Sequence, residues 1–302
     1  MIVMDSNSLS LPADNSGRVD DPVRDDELRI DEVSGGVVVL SLNRPPANAL
    51  TLDLRLRIRD AWIAIRDMPE VRAVVVTATG RRFFCSGLDL HELANDLGNP
   101  SKDANRRHAE IDQLQWDPAA VGLWKPIVAA INGYCLAGGL NLASMCDVRI
   151  AATHARFGVP EIRWSQPAAF TWSLPKVLPA NIAMEMVLWA DRQFTAQRML
   201  ELGYLNAVVP RSKVLSTAIS WAQQVSRLDE VAVQRHKQML YQATFGDRAQ
   251  KSEEAERLLR PLHDRADIAR HKIGNFLGVQ AAGDPIPSGS TTEEEEDYIA
   301  AL

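Results

Sequence analysis

Three short apolar runs constrain this chain more than anything else in it: GVVVLSL (36–42), AVVVTA (73–78) and PIVAAI (126–131). The runs read as buried strands, the first β-branched and bounded by glycine and by Arg44-Pro45-Pro46, the other two similar. Between the first two runs Leu54, Ile58, Ala61, Trp62 and Ile65 recur at helical spacing, with Thr51 or Asp53 able to cap the start. Strands that alternate with helices predict α/β layering. From about 182 onward the pattern turns helical through NIAMEMVLWA, TAQRMLELGYLNAVV, VLSTAISWAQQV and EVAVQRHKQMLYQAT, so a strand–helix body topped by a helical C-terminal layer is expected.

The 302 residues, 46% of them hydrophobic, are enough for one large domain or two modest ones. Polar, acidic segments 1–26 and 280–302 cannot bury enough apolar surface to offset their ordering entropy and are expected to be mobile tails. A core domain is expected over 27–210, followed by a helical region over 211–279. The net charge of −6 is uneven: residues 1–32 carry −6 and 280–302 carry −6, which leaves a mildly basic middle. That balance suits a small anionic ligand better than nucleic acid, which favours a concentrated basic face. Cys85, Cys135 and Cys146 lie in apolar sequence, with neither a disulfide framework nor metal-ligand spacing, and point to a reducing, cytoplasmic setting. The N-terminal MIVMDSNSLSLPADN has no basic leader, and no run of some 18 apolar residues occurs, so neither export nor membrane insertion is expected.

NGYCLAGGLNLASMCD (132–147) follows the third strand with three glycines and no charge before its last residue. Gly138 and Gly139 are expected at the start of a short helix, where free N–H groups and the positive end of the dipole favour developing negative charge. GRRFFCSGLDLHEL (80–93) repeats the logic: strand, glycine turn at Gly87, then a helical segment. Glycine after a strand is often turn punctuation only. Two such turns, however, could aim two N–H groups at one oxygen, the requirement for stabilising an enolate formed from a thioester.

The blocks NRPPANALT (43–51), FCSGLDL (84–90), KPIVAAINGYCLAGG (125–139), MCDVRIAATHARFGVPEI (145–162) and FTAQRMLELGYLNAVVP (194–210) resemble the enoyl-CoA hydratase/isomerase, or crotonase, family. The resemblance covers about 27–275. It implies the crotonase-like (ClpP/crotonase) α/β fold, a spiral of ββα units with a C-terminal helical trimerisation region, a CoA thioester substrate, and homotrimers or homohexamers. No cofactor is implied beyond the CoA of the substrate, and no metal. Carried over position by position, the two oxyanion-hole amides fall on the backbone N–H groups of Leu88 and Gly138. Gly87, Asp89, Gly139, Trp164 and Phe170 then line the substrate pocket, with Asp89 and His91 alternatively stabilising the helix that follows.

Hydratases of this family use two glutamates that share an attacking water. Here the second is Glu161, in FGVPEI, and the first is Asn141. An amide cannot take up or release a proton near neutral pH, so Glu161 has the proton work alone, while Asn141 holds water or caps a helix. Beside Ile162 and Trp164 the Glu161 carboxyl is expected to sit in an apolar pocket with a raised pKa. The family's glycine-rich loop is replaced by IRWSQPAAFTWSLPKVL, with Ser165, Ala168, Ala169 and Phe170 at the glycine positions and Trp164 and Trp172 flanking. The stretch resembles hydroxycinnamoyl-CoA hydratase-lyases and opens the option of an aromatic or cyclic acyl group, although the tryptophans serve equally as core. His108 lies in the segment that covers the acyl pocket in the family but reads rather as a solvated helix position, and Tyr241 could reach a pocket; Tyr134 and Cys135 lie beside the second glycine turn, Cys135 as a small core residue. The expectation is an enoyl-CoA hydratase-like lyase. Double-bond isomerisation, hydratase-lyase cleavage and non-catalytic acyl-CoA binding are the alternatives.

Overall fold

A computed structural model describes residues 27–98, 116–166, 168–245, 270 and 273–275. The two acidic tails and His108 lie outside the described residues. Strands β1 (Leu28–Val33) and β2 (Val37–Leu42) form an antiparallel hairpin, and Thr51 caps helix α1 (Leu52–Asp67) by accepting from the Leu54 N–H at 3.1 Å. Next come β3 (Ala73–Ala78), β4 (Phe83–Cys85) and α2 (Leu90–Gly98). A second pair of strands, β5 (Ile127–Ile131) and β6 (Tyr134–Leu136), leads into α3 (Gly138–Ser144). A third pair is β7 (Val148–Ala152) and β8 (Arg156–Gly158).

The chain therefore alternates between two sheets. The large one runs β1-β2-β3-β5-β7 and ends on β10 (Ala207–Val209), parallel apart from β1; the small one runs β4-β6-β8 and ends on β9 (Phe194–Thr195). Each circuit lays one strand in the large sheet and the next in the small sheet, which is the expected spiral of ββα units. Every residue of β2, β3 and β5 is buried, because both faces of the large sheet are covered, and their sequences are correspondingly continuous apolar runs instead of alternating ones.

After β8 two 3-10 turns, Glu161–Trp164 and Ala169–Ser173, lead to α4 (Leu174–Val177) and α5 (Ala180–Leu188). Strand β9 (Phe194–Thr195) then pairs antiparallel with β8 and runs into α6 (Ala196–Glu201). The uniformly helical reading of TAQRMLELGYLNAVV is corrected here. The helix stops at Glu201, Gly203 turns the chain at φ +77°, and β10 (Ala207–Val209) pairs parallel with Ile150–Ala152 at the edge of the large sheet. Helix α7 (Val214–Ser226) buries Val214, Ala218 and Ala222 in the same core as the strands, its small residues letting it lie close to the sheet. Helix α8 (Glu230–Phe245) has no buried residue and is fastened by polar contacts, among them Lys237 to Asp147 at 2.8 Å.

Candidate active site

In the small sheet β4, β6 and β8 are parallel neighbours, with Cys85 opposite Cys135 and Leu136 opposite Gly158. Their C-terminal ends therefore lie side by side, and each is followed within three residues by a candidate group: Gly87-Leu88 after β4, Gly138 after β6 and Glu161 after β8. Loops beyond the carboxyl ends of parallel strands are where α/β folds place their ligands.

The two glycine turns touch. Gly87 has φ +105°, and a methyl placed on it would lie 2.4 Å from Cβ of Ala137 and 3.1 Å from the nitrogen of Gly138. A methyl on Gly138 would sit 3.5 Å from Cα of Gly87. Ala137, between them in space, holds φ 52° and ψ −127°, a region costly for any residue with a Cβ. Its N–H donates to the Gly158 carbonyl at 3.0 Å, tying the second turn to the end of β8.

The direction of the Leu88 N–H follows from a local ladder. Leu50 donates to the Gly87 carbonyl at 2.7 Å and accepts from the Asp89 N–H at 3.0 Å, so residues 87 and 89 face Leu50 and the Leu88 N–H between them faces away. Neither the Leu88 nor the Gly138 N–H has an acceptor among the described residues. The Gly87 N–H does: it donates to Sγ of Cys85 at 3.4 Å.

Asp89 is buried, with its oxygens committed inside the protein. Oδ1 accepts from the His91 and Glu92 N–H groups, capping α2, and Oδ2 pairs with Arg44 at 2.7 Å. Of the two roles weighed for Asp89, the helix cap is the one the structure displays. Asn141 is the fourth residue of α3, and Ala137 occupies the N-cap position, so Asn141 is not a cap. Gly139 abuts the scaffold: a methyl there would meet the Cys85 carbonyl oxygen at 2.4 Å.

Glu161 opens the first 3-10 turn with Oε2 shielded from solvent and without a hydrogen-bond partner among the described residues. Burial pushes its carboxyl up to about 8. Trp164 is buried, but Ile162 is 39% exposed, so Ile162 does not supply the apolar wall expected beside Glu161. Phe170 packs half-buried on the main core and Trp172 is 41% exposed. Tyr134 stacks on Phe83 with ring centroids 5.3 Å apart. Cys135 is buried, and burial holds its thiol well above the usual range. Tyr241 donates to Asp117 at 3.4 Å and contacts Trp124 and Phe245. Among the described residues no group of three His, Cys, Asp or Glu could hold a metal, and no helix is long and apolar enough to cross a membrane.

Sequence reasoning assigned no role to Asn48, which holds the first turn's support in place. Buried at φ 52°, it accepts from the Arg44 N–H at 2.9 Å and donates to the carbonyls of Thr79 and Phe83. The signal was an asparagine within a proline-bounded loop, the residue type that best tolerates a left-handed conformation after glycine.

Known proteins share this frame. The chain is 33% identical over 210 residues to (E)-benzylidenesuccinyl-CoA hydratase of Thauera aromatica, covering 68% of this chain and 79% of that protein. It is 31% identical over 213 residues to carnitinyl-CoA dehydratase of Salmonella enteritidis PT4, covering 70% and 78%. Among solved structures, a carnitinyl-CoA dehydratase from Mycobacterium avium 104 superposes with a TM-score of 0.67 at 29% identity, covering 81% of this chain and 94% of that one. An enoyl-CoA hydratase from Bacillus anthracis gives 0.66 at 27%, covering 78% and 90%. These likenesses carry the crotonase-like fold, and with a family model described as enoyl-CoA hydratase/isomerase matching residues 32–276, the chain belongs to the enoyl-CoA hydratase/isomerase family.

Proposed function

We propose that the protein is a hydro-lyase that adds water to, or removes it from, the α,β double bond of an enoyl-CoA thioester. Family membership sets the class of chemistry, enoyl-CoA hydratase-like activity on CoA thioesters. The finer reading is carried by one observation: three parallel strands of the small sheet end together, and Gly87-Leu88, Gly138 and Glu161 follow them. The N–H groups of Leu88 and Gly138 donate to the thioester oxygen and stabilise the enolate that forms as the double bond is attacked.

With Asn141 unable to exchange protons, one carboxyl does both proton transfers. The Glu161 carboxylate takes a proton from water, the water oxygen bonds to the β-carbon, and the same proton passes to the α-carbon. Glu161 ends as it began, and no net proton is consumed. Asn141 orients the water through its amide. The step needs no cofactor beyond the CoA that the substrate carries, and neither nucleic acid nor a membrane takes part.

Trp164 and Phe170, in the stretch that follows Glu161, favour an aromatic or cyclic acyl group, and the benzylidenesuccinyl-CoA in the name of the Thauera relative carries a phenyl ring. Met184, Leu188 and Trp189 around α5, and Val231, Met239 and Leu240 on α8, are each more than half exposed. Such apolar surface supports assembly as a homotrimer or homohexamer. Three buried free cysteines support a cytoplasmic setting.

Purified protein offered crotonyl-CoA, a 3-enoyl-CoA and feruloyl-CoA, with products identified by mass, tests this reading. A hydrated thioester is expected. The amide of Asn141 in place of the first carboxylate makes two other outcomes the competing ones: a shifted double bond identifies an isomerase, and an aldehyde with acetyl-CoA a hydratase-lyase. Tight binding without any product identifies an acyl-CoA binder and overturns the proposal.

A further inference from the structure

The geometry points to Cys85 as a positioning residue that sets both glycine turns of the site at once. This rests on the oxyanion-hole reading above and deepens it. Cys85 is the last residue of β4, fully buried, and it touches each turn by a different part of itself. Its Sγ accepts from the Gly87 N–H at 3.4 Å, in the first turn. Its carbonyl oxygen and Cβ lie 2.4 Å and 2.7 Å from where a methyl on Gly139 would be, in the second turn.

Two consequences follow for the donors themselves. The Gly87 N–H is turned inward onto sulfur, so the amide left for a ligand on that turn is that of Leu88, whose neighbours are already held by Leu50. Helix α3, whose first residue is Gly138, cannot approach β4 more closely than the Gly139–Cys85 contact allows, and cannot recede without opening a void in a packed core. The separation of the two turns is thus set through a single residue. Burial raises the Cys85 thiol to about 12, so it remains a neutral acceptor and never competes as a nucleophile.

The test uses the full-length protein, crotonyl-CoA for turnover, and the infrared carbonyl band of bound butyryl-CoA labelled with carbon-13 at the thioester carbon. In the wild-type protein the band lies below its position in water, because the two donors polarise the carbonyl. Cys85→Ala frees the Gly87 N–H of the first turn while keeping the carbonyl oxygen and Cβ that abut Gly139, so it unsettles one donor turn against the other. It is expected to return the band toward its aqueous position and lower kcat about tenfold, with KM changed by less than about twofold. Cys85→Ser keeps an acceptor on a shorter bond, so its band and kcat fall between the two. That intermediate shift decides the matter should the alanine variant fail to fold.

Cys146→Ala removes an equally buried thiol whose Sγ donates to the Leu142 carbonyl; it is expected to lower thermal stability and leave the band in place. A band and kcat unmoved in both Cys85 variants overturn the role of Cys85, as does an equal band shift in Cys146→Ala. A wild-type band already at the aqueous position overturns the oxyanion-hole reading instead, so the two failures are distinguishable.

Discussion

Arg44 and Asp89 form a 2.7 Å ion pair at the rim of the first glycine turn, joining the loop before α1 to the cap of α2. Asp89 is already accepting two backbone N–H groups, so the pair closes a network around the Leu88 amide: Leu50 bonds to the residues on either side of it, and Glu92 accepts from the Leu52 N–H at 2.9 Å. Arg44→Ala leaves a buried carboxylate without its cation. A loss of roughly 2–4 kcal/mol in urea unfolding is expected, together with reduced kcat. Arg44→Lys restores the charge without the forked geometry and should recover only part of the loss.

Glu161→Gln keeps the size and polarity of the side chain and removes its proton exchange. A fall in kcat of about 10²–10⁴ is expected with KM little changed, measured on the enoyl thioester that the product panel identifies. Full turnover by this variant would end the one-carboxyl mechanism.

The pH dependence has a definite sign. The Glu161 carboxyl sits at about 8 in the folded chain against an ordinary 4.5, and the proposed step starts from its ionised form. Activity of the free enzyme should rise through about pH 8 on a single limb. Hydration and dehydration must share that limb, because their ratio is an equilibrium constant in which no proton appears. Stability moves oppositely: between 4.5 and about 8 the unfolded chain releases a proton that the folded chain retains, so this group's contribution to stability falls as pH rises across that window. Glu161→Gln should flatten both slopes, read from initial rates and from Tm across pH 5–9.

Gly87 and Ala137 should be energetically coupled. Gly87→Ala demands a methyl 2.4 Å from the Ala137 Cβ at φ +105°, and is expected to destabilise the fold strongly. Ala137→Gly relieves its own left-handed strain and removes the colliding methyl. In a double-mutant cycle, Gly87→Ala should cost at least about 1 kcal/mol less in the Ala137→Gly background; additive losses would show that the turns do not press on one another.

Local chemistry alone located three strands of the large sheet, β2, β3 and β5, and its first helix. Residues 37–42, 73–78 and 127–131 are strands because apolar β-branched runs buried on both faces leave no other solution, and Thr51 caps α1 because its hydroxyl reaches the Leu54 N–H wherever that helix starts. The strand ahead of Gly87 was read and is β4, but the three-residue strands β6, β8 and β10 were not legible: a segment that short has no period, and its state is decided by the partner it pairs with. The same holds for chemistry. Glycine turns and a lone glutamate could be picked out along the chain, but that Gly87 touches Ala137, that Asp89 is committed to Arg44 and α2, and that Glu161 Oε2 is shielded without a partner among the described residues depend on segments tens of residues apart meeting in space. Burial and contact, which set a carboxyl's affinity for its proton and the aim of an amide, exist only once the two sheets have closed on each other.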